Sequence, residues 1–292
     1  MIGLESGTVR LCDHESAWET EAKRTIDELY SIIGDVADGI EHVGSTAIKT
    51  IKAKPIIDIA VAVKDFDEIL KFEDKLRERG YYYRPKTDMG DQLLFAKGSR
   101  YDGTGRLQTH FIHVVKTGSM DWINYINFRD HLNANIEVAR EYEAIKLSLA
   151  ELAPIDKGRE KYTAGKHDFI RYTLRKALVK SYLGKTVHIV MDRPIGTPHP
   201  KHPDIIYPIN YGYIEGVYGG DGEELDVYLL GVNERVEEYT AKIIGIVHRK
   251  NDVEDKLAAA PEGMRFTAKE IEDIIHFQEQ YYDSYVEVES NA

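Results

Sequence analysis

Residues 207–231 read YPINYGYIEGVYGGDGEELDVYLLG, an apolar strand set against tyrosines, glycines and four carboxylates, Asp221, Glu223, Glu224 and Asp226. Side chains alternate along a strand, so Asp226, Tyr228 and Leu230 share one face while Leu225, Val227 and Leu229 face the other way. The glycine-rich turn can fold Asp221 and Glu223 back towards Asp226. Carboxylates converging without basic partners repel one another in a partly buried mouth. A hard divalent cation such as Mg2+ relieves that repulsion and prefers an all-oxygen shell with waters retained. A solvated acidic turn is the alternative on spacing alone.

The rest of the chain bounds this reading. At 292 residues it is longer than one typical domain of roughly 100 to 200 residues, which predicts two. Hydrophobic residues at 42% and charged residues at 30% are ordinary for a folded globular chain and exclude wholesale disorder. The longest apolar run, Pro55 to Val63, is interrupted by Asp58 and falls well short of the roughly 20 residues a bilayer needs. No apolar signal segment is seen near the N-terminus, so a cytoplasmic protein without membrane attachment is expected. Cys12 stands alone, which excludes an intrachain disulfide and a cysteine-based metal site. Residues 1–180 carry 28 Lys and Arg against 29 Asp and Glu, whereas residues 181–292 carry 10 against 21. That asymmetry predicts a boundary near 180 and argues against a nucleic-acid groove in the acidic part.

Periodicity divides the chain in the same way. His14 to Ile33 has Trp18, Ala22, Ile26, Leu29 and Ile33 at helical spacing. GIEHVGS and KPIIDIAVAV read as strands, the second apolar enough to be central in a sheet. A helix over Phe66–Arg79 follows, then strands in DQLLFAKG and LQTHFIHVV, then helices over Asp121–Leu132, Ile136–Leu152 and His167–Lys180. At Gly184 the pattern turns to short strands, KTVHIVMD, ELDVYLLG, EYTAKIIGIVHR and DKLAAAP, which predict a small barrel or sandwich. A last helix begins at a capping box, Thr267 with Glu270.

Five motifs in order carry a resemblance. MDRP contains Arg193, YPINY contains Tyr207 and Tyr211, DGEELD contains Asp221, Glu223 and Asp226, RKNDVEDKLAAAP contains Lys256, and HFQEQYYDS contains Tyr281. Together they resemble the soluble, metal-dependent family I inorganic pyrophosphatases over about the last hundred residues. The resemblance implies Mg2+, with Mn2+ as a substitute, held by Asp221 and Asp226, with Asp252 and Glu254 as further candidate ligands. It implies Glu223 as base or bridging carboxylate, and Arg193, Tyr207, Tyr211, Lys256 and Tyr281 as holders of phosphate oxygens. The implied substrate is a small phosphoanhydride, with no nucleic acid or membrane partner. Three departures stand out. Glu223 replaces the usual aspartate, Tyr282 replaces a lysine, and an early hairpin is deleted, with His188 and Val190 near where its lysine and glutamate would be.

The first part carries its own signature. EHVGSTAIKTIKAKPIIDIAV, THFIHVV, NFRDHLNAN, EYEAIKLSLA and YTAGKHDFI resemble the GrpB-like family, a divergent branch of the nucleotidyltransferase superfamily, over residues 8–178. The resemblance implies Gly44 and Ser45 as a phosphate-binding pair and Asp58 as a site aspartate. The superfamily's second aspartate is Ala60 here, which leaves one carboxylate where two metals need more. An aspartate in an apolar strand needs a partner, and Lys54, His113 and Arg129 are the candidates. His110 and His113, three apart, point to opposite faces. Trp122, Tyr125 and Ile126 are expected in the core.

The fold expected is multidomain α+β. Residues 1–182 form an α/β nucleotidyltransferase-like domain with added helices, and residues 183–292 a small OB-like β-barrel of the pyrophosphatase type with a C-terminal helix. The function expected is Mg2+-dependent hydrolysis of inorganic pyrophosphate. Two alternatives stay open: a nucleotide or phosphate sensor without turnover, and a nucleotidyltransferase whose pyrophosphate product the second domain removes.

Overall fold

The computed structural model describes residues 2–85, 92–151, 165–219, 222–252 and 254–288, and the chain divides into two units, Met1–Ile170 and Arg171–Ala292. In the first unit the elements are β1 (Leu4–Glu5), α1 (Ser16–Ile33), β2 (Ala37–Val43), β3 (Ile57–Val63), α2 (Phe66–Leu70), α3 (Glu73–Glu78), β4 (Tyr82–Tyr83), β5 (Gln92–Lys97), α4 (Ser99–Asp102), β6 (Leu107–Gln108), β7 (His110–Lys116), α5 (Met120–Ala134) and α6 (Ile136–Glu151). Five strands make a sheet in the order β2-β3-β7-β5-β4, in which only β3 and β7 run parallel.

The two faces of this sheet differ in kind. Ile57, Ile59, Val61 and Val63 of β3, with Ile112 and Val114 of β7 and Ile40 of β2, bury one face against Trp18, Ala22, Leu29 and Ile33 of α1. These β-branched residues fit a pleated, covered surface. The opposite face carries Asp58, Ala60 and Ala62 of β3, aligned with Phe111, His113 and Val115 of β7. Small residues there let α5 approach: a Cβ on Gly39 would sit 3.1 Å from the Trp122 ring. Trp122, Tyr125 and Ile126 are therefore half-buried over this polar face, not core as expected. The helix expected over Phe66–Arg79 is two helices, because a turn at Lys71–Phe72 brings both Ile69 and Leu76 to the core.

The second unit begins within α7 (His167–Tyr182) and continues through β8 (Thr186–Arg193), β9 (Asn210–Tyr218), β10 (Glu224–Leu229), β11 (Glu238–Arg249), β12 (Lys256–Ala260), α8 (Ala268–Glu279) and β13 (Ser284–Val288). Strand order β12-β10-β9-β8-β11, with β11 pairing β12 again, closes a five-stranded barrel, and β13 adds to β11 outside the ring. Closure removes the free edges an open sheet would expose. Its core is aromatic on one side, Tyr207, Tyr211 and Tyr228, and aliphatic on the other, Ile244, Val247, Ile271 and Ile275. The sequence pattern had not marked β9 or β13 as strands, since glycines and tyrosines in NYGYIEGVY blur the alternation.

Gly212, within β9, is there for close approach. A Cβ on it would fall 2.0 Å from the Val190 carbonyl oxygen of β8. Gly212→Ala is therefore expected to cost about 3 kcal/mol, read as faster amide exchange along β8 and β9. The capping box at the start of α8 is formed: Glu270 N–H donates to Thr267 Oγ1 at 3.2 Å, and Thr267 N–H donates to Glu270 Oε2 at 2.7 Å. Thr267→Ala is expected to cost about 1 kcal/mol of thermal or denaturant stability.

Candidate active site

Ladder register assembles the site in the barrel. Arg193 of β8 pairs with Tyr211 of β9, and Tyr211 pairs with Tyr228 of β10. In the parallel pair of β10 and β12, Val227 aligns with Leu257, so the residues just before them, Asp226 and Lys256, lie side by side. Lys256 Nζ pairs with Asp226 Oδ2 and sits 2.7 Å from Glu254 Oε2. Its ammonium is also 5.6 Å from the Tyr211 ring centre.

Across the cluster, Arg193 Nη1 donates to the Tyr207 hydroxyl at 3.2 Å, and its guanidinium faces the rings of Tyr207 at 5.6 Å and Tyr211 at 5.2 Å. Arg193 Nη2 also meets Asp192 at 3.1 Å, and that carboxylate is half-exposed. Arg193, Tyr207, Tyr211, Asp226, Glu254 and Lys256 thus come together.

Electrostatics fix the protonation states. Burial opposes the charge on Lys256, yet the carboxylates of Asp226 and Glu254 more than offset it and hold the ammonium above the ordinary lysine range. Burial, followed by the charge of Asp226 and a hydrogen bond to it, pushes Tyr211 well above the usual tyrosine value. Tyr228, also raised by burial, donates from its hydroxyl to Glu279 at 2.6 Å and Gln278 at 3.0 Å. Both tyrosines are neutral hydrogen-bond donors at neutral pH.

Other candidates lie elsewhere. Asp252 pairs with Arg249 Nη1 at 2.9 Å, because the turn after β11 returns it to that strand's last residue. Glu223 is exposed in the turn, where its carbonyl accepts from Gly219 N–H at 2.7 Å. Asp221 lies outside the described residues. Tyr281 follows the end of α8 with 64% of its surface exposed. The neighbouring Tyr282 lies under the Arg249 guanidinium, 3.6 Å from ring centre to Cζ.

The expectation that Asp226 meets Asp221 and Glu223 without a basic partner is corrected at Asp226, which has Lys256. Strand register across thirty residues supplies that lysine, which local spacing cannot show. Among the described residues no group of three or more His, Cys, Asp or Glu is placed to hold a metal ion. Asp226 and Glu254 nevertheless converge on one cation. Two carboxylates suit Mg2+ when water and substrate phosphates complete its shell.

Behind the site stands Asp255, fully buried, which the sequence reading passed over. It accepts from Lys176 of α7 at 2.8 and 3.1 Å, meets His248 Nδ1 at 3.2 Å, and accepts from Arg249 N–H at 3.1 Å. Its position between Glu254 and Lys256 was the available signal. Arg249, equally unforeseen, is 2% exposed and held by Glu279 at 2.6 and 3.1 Å.

In the first unit the polar sheet face gathers a second group. His113 Nε2 lies 3.4 Å from Asp58 Oδ1, which identifies His113 as the partner that aspartate needs. The His113 ring packs on Tyr125 at 5.2 Å, and Tyr125 donates to Gln92 at 3.1 Å. Gly44, at φ +70°, closes over Asp58; a Cβ there would lie 2.6 Å from Oδ2. Ser45 is hydrogen-bonded to Tyr142. Arg129 is not Asp58's partner, because Glu41 at 2.7 Å, Asp130 at 2.7 Å and the His42 carbonyl at 3.0 Å claim its guanidinium. His110 points to the other face, against Thr25 and Glu21. Burial there lowers it to about 4, with Glu21 opposing.

The family described as GrpB protein matches residues 8–176, and the family described as inorganic pyrophosphatase matches residues 175–289. The glutamate-rich protein GrpB of Alkalihalophilus pseudofirmus is 39% identical over 171 residues, which cover 58% of this chain and 96% of that protein. The crystal structure of the conserved protein GrpB from Enterococcus faecalis superposes with a TM-score of 0.53 at 25% identity, covering 59% of this chain and 99% of the other. The inorganic pyrophosphatase from Ehrlichia chaffeensis aligns at 18% identity with a TM-score of 0.29, over 36% of this chain and 87% of that one. Among the described residues no helix is long and apolar enough to cross a membrane.

Proposed function

On the premise that the chain belongs to the GrpB protein family, with a unit matching the inorganic pyrophosphatase family after it, we propose that residues 185–285 hydrolyse inorganic pyrophosphate in a Mg2+-dependent reaction. The observation that carries this reading is the convergence of Arg193, Tyr207, Tyr211, Asp226, Glu254 and Lys256 in one barrel. Cleaving a phosphoanhydride builds charge on the departing phosphate, and positioned cations and hydrogen-bond donors stabilise it. Arg193 offers a forked donor to phosphate oxygens. Tyr207 and Tyr211 offer hydroxyl protons, and Lys256 a mobile ammonium on a long stem. Asp226 and Glu254 would hold Mg2+, which supplies charge to the anhydride oxygens and acidifies water when bound.

The test is release of inorganic phosphate from pyrophosphate with and without Mg2+, comparing the parent with Asp226→Asn. Phosphate release that depends on Mg2+ and on Asp226 is expected. No release above background in the parent overturns the reading.

A further inference from the structure

Asp226 comes from β10 and Glu254 from the turn before β12, yet their carboxylates meet at a single atom, Lys256 Nζ. Lys256 is 3% exposed and Glu254 is 5% exposed, so bulk ions do not neutralise this group. A buried cation with two buried or half-buried carboxylates is stable only as a set, because each charge left alone carries a large desolvation cost. The same two carboxylates are the described side chains on which a divalent cation would depend.

We propose that Lys256 is the built-in cation of this site, that a divalent cation displaces it from Asp226 and Glu254, and that the freed ammonium then serves the phosphate. The proposal rests on the proposed function only in taking a divalent cation as the ligand. Before displacement, Asp226 and Glu254 hold Lys256 while Asp192 pairs with Arg193, and the cluster has little attraction for an anion. A divalent cation takes over the carboxylates of Asp226 and Glu254 and leaves the lysine charge unopposed. Anion affinity thus follows cation binding, and the order of binding is set by one side chain. The lysine's flexible four-carbon stem allows the ammonium to move while its backbone stays in the β12 ladder.

The experiment uses the full chain and Mn2+ alone as probe. Binding of Mn2+ to the parent and to Lys256→Met is measured by electron paramagnetic resonance, with circular dichroism confirming the fold. Removing the competing ammonium is expected to lower the Mn2+ Kd roughly ten-fold or more, about 1.4 kcal/mol. Unchanged or weaker Mn2+ binding in the variant overturns the proposal. A second measurement needs no variant: the Lys256 ammonium protons, held by two carboxylates, are followed by nitrogen-15 NMR during Mg2+ titration. Loss of that protected signal supports displacement, and its persistence at saturating Mg2+ overturns it. If both measurements support displacement but pyrophosphate is not hydrolysed, the displacement is upheld and only the proposed reaction is overturned.

Discussion

On the proposed function, Asp226→Asn is expected to lower kcat/KM for pyrophosphate by about 10²- to 10³-fold, the usual consequence of removing one preorganised charge from a transition-state site. Asp226 is where the cluster's interactions cross: it accepts from Tyr211, pairs with Lys256, and is one of the two carboxylates offered to a divalent cation. The amide keeps the shape but loses the charge. Lys256 is then left with Glu254 as its carboxylate, and cation binding weakens with it. Because the Asp226 side chain is 23% exposed, the barrel is expected to stay folded. The loss is therefore expected in turnover and in Mg2+ dependence, beside a cost in stability from the weakened pairing of Lys256. Equal rates for parent and variant across a Mg2+ titration defeat the assignment.

Asp255→Asn is expected to have the largest effect on stability, about 3–5 kcal/mol, because it leaves Lys176 and His248 facing a neutral amide in a buried place. Burial works against the Asp255 charge, but the His248 and Lys176 hydrogen bonds, with the charges of Lys176 and Arg175, more than offset it. The carboxyl is held down at about 2. Its ordinary value is 3.8, so the folded state binds this proton less readily than the unfolded state. The stabilisation is thus fully present above about pH 4 and is lost as pH falls from about 4 to about 2. That shift corresponds to about 2 kcal/mol. Amide exchange in β11 and β12 as a function of pH measures it. The gap between parent and Asp255→Asn should narrow by that amount across this window, and a gap independent of pH rules the mechanism out. Asp255 also sits between Glu254 and Lys256, so the variant should lose kcat together with stability.

Much of this molecule follows from local rules that the sequence states openly. Amphipathic spacing from Trp18 to Ile33 produces α1, the apolar run around Ile57–Val63 produces a central strand, and Thr267 with Glu270 produces the cap of the last helix. Arg193, Tyr207, Tyr211, Asp226 and Lys256 were likewise named from ordered motifs and meet in one cluster. The helix, the strand and the cap depend on neighbours within a turn or two of chain, where spacing and residue type carry the information, whereas the cluster residues were named by resemblance to an ordered motif set.

What the sequence left open is who partners whom. Lys256 meets Asp226 because a parallel pairing closes the barrel, and His113 meets Asp58 because β7 lies parallel to β3 with His113 opposite Ala60. Tyr281 and Asp252 carry chemistry suited to the site, yet Tyr281 stands exposed after α8 and Asp252 pairs with Arg249. The physical reason is common to the two pairs. A side chain's type is local, but the charge it faces depends on strand register between segments tens of residues apart, and only the folded chain fixes that register.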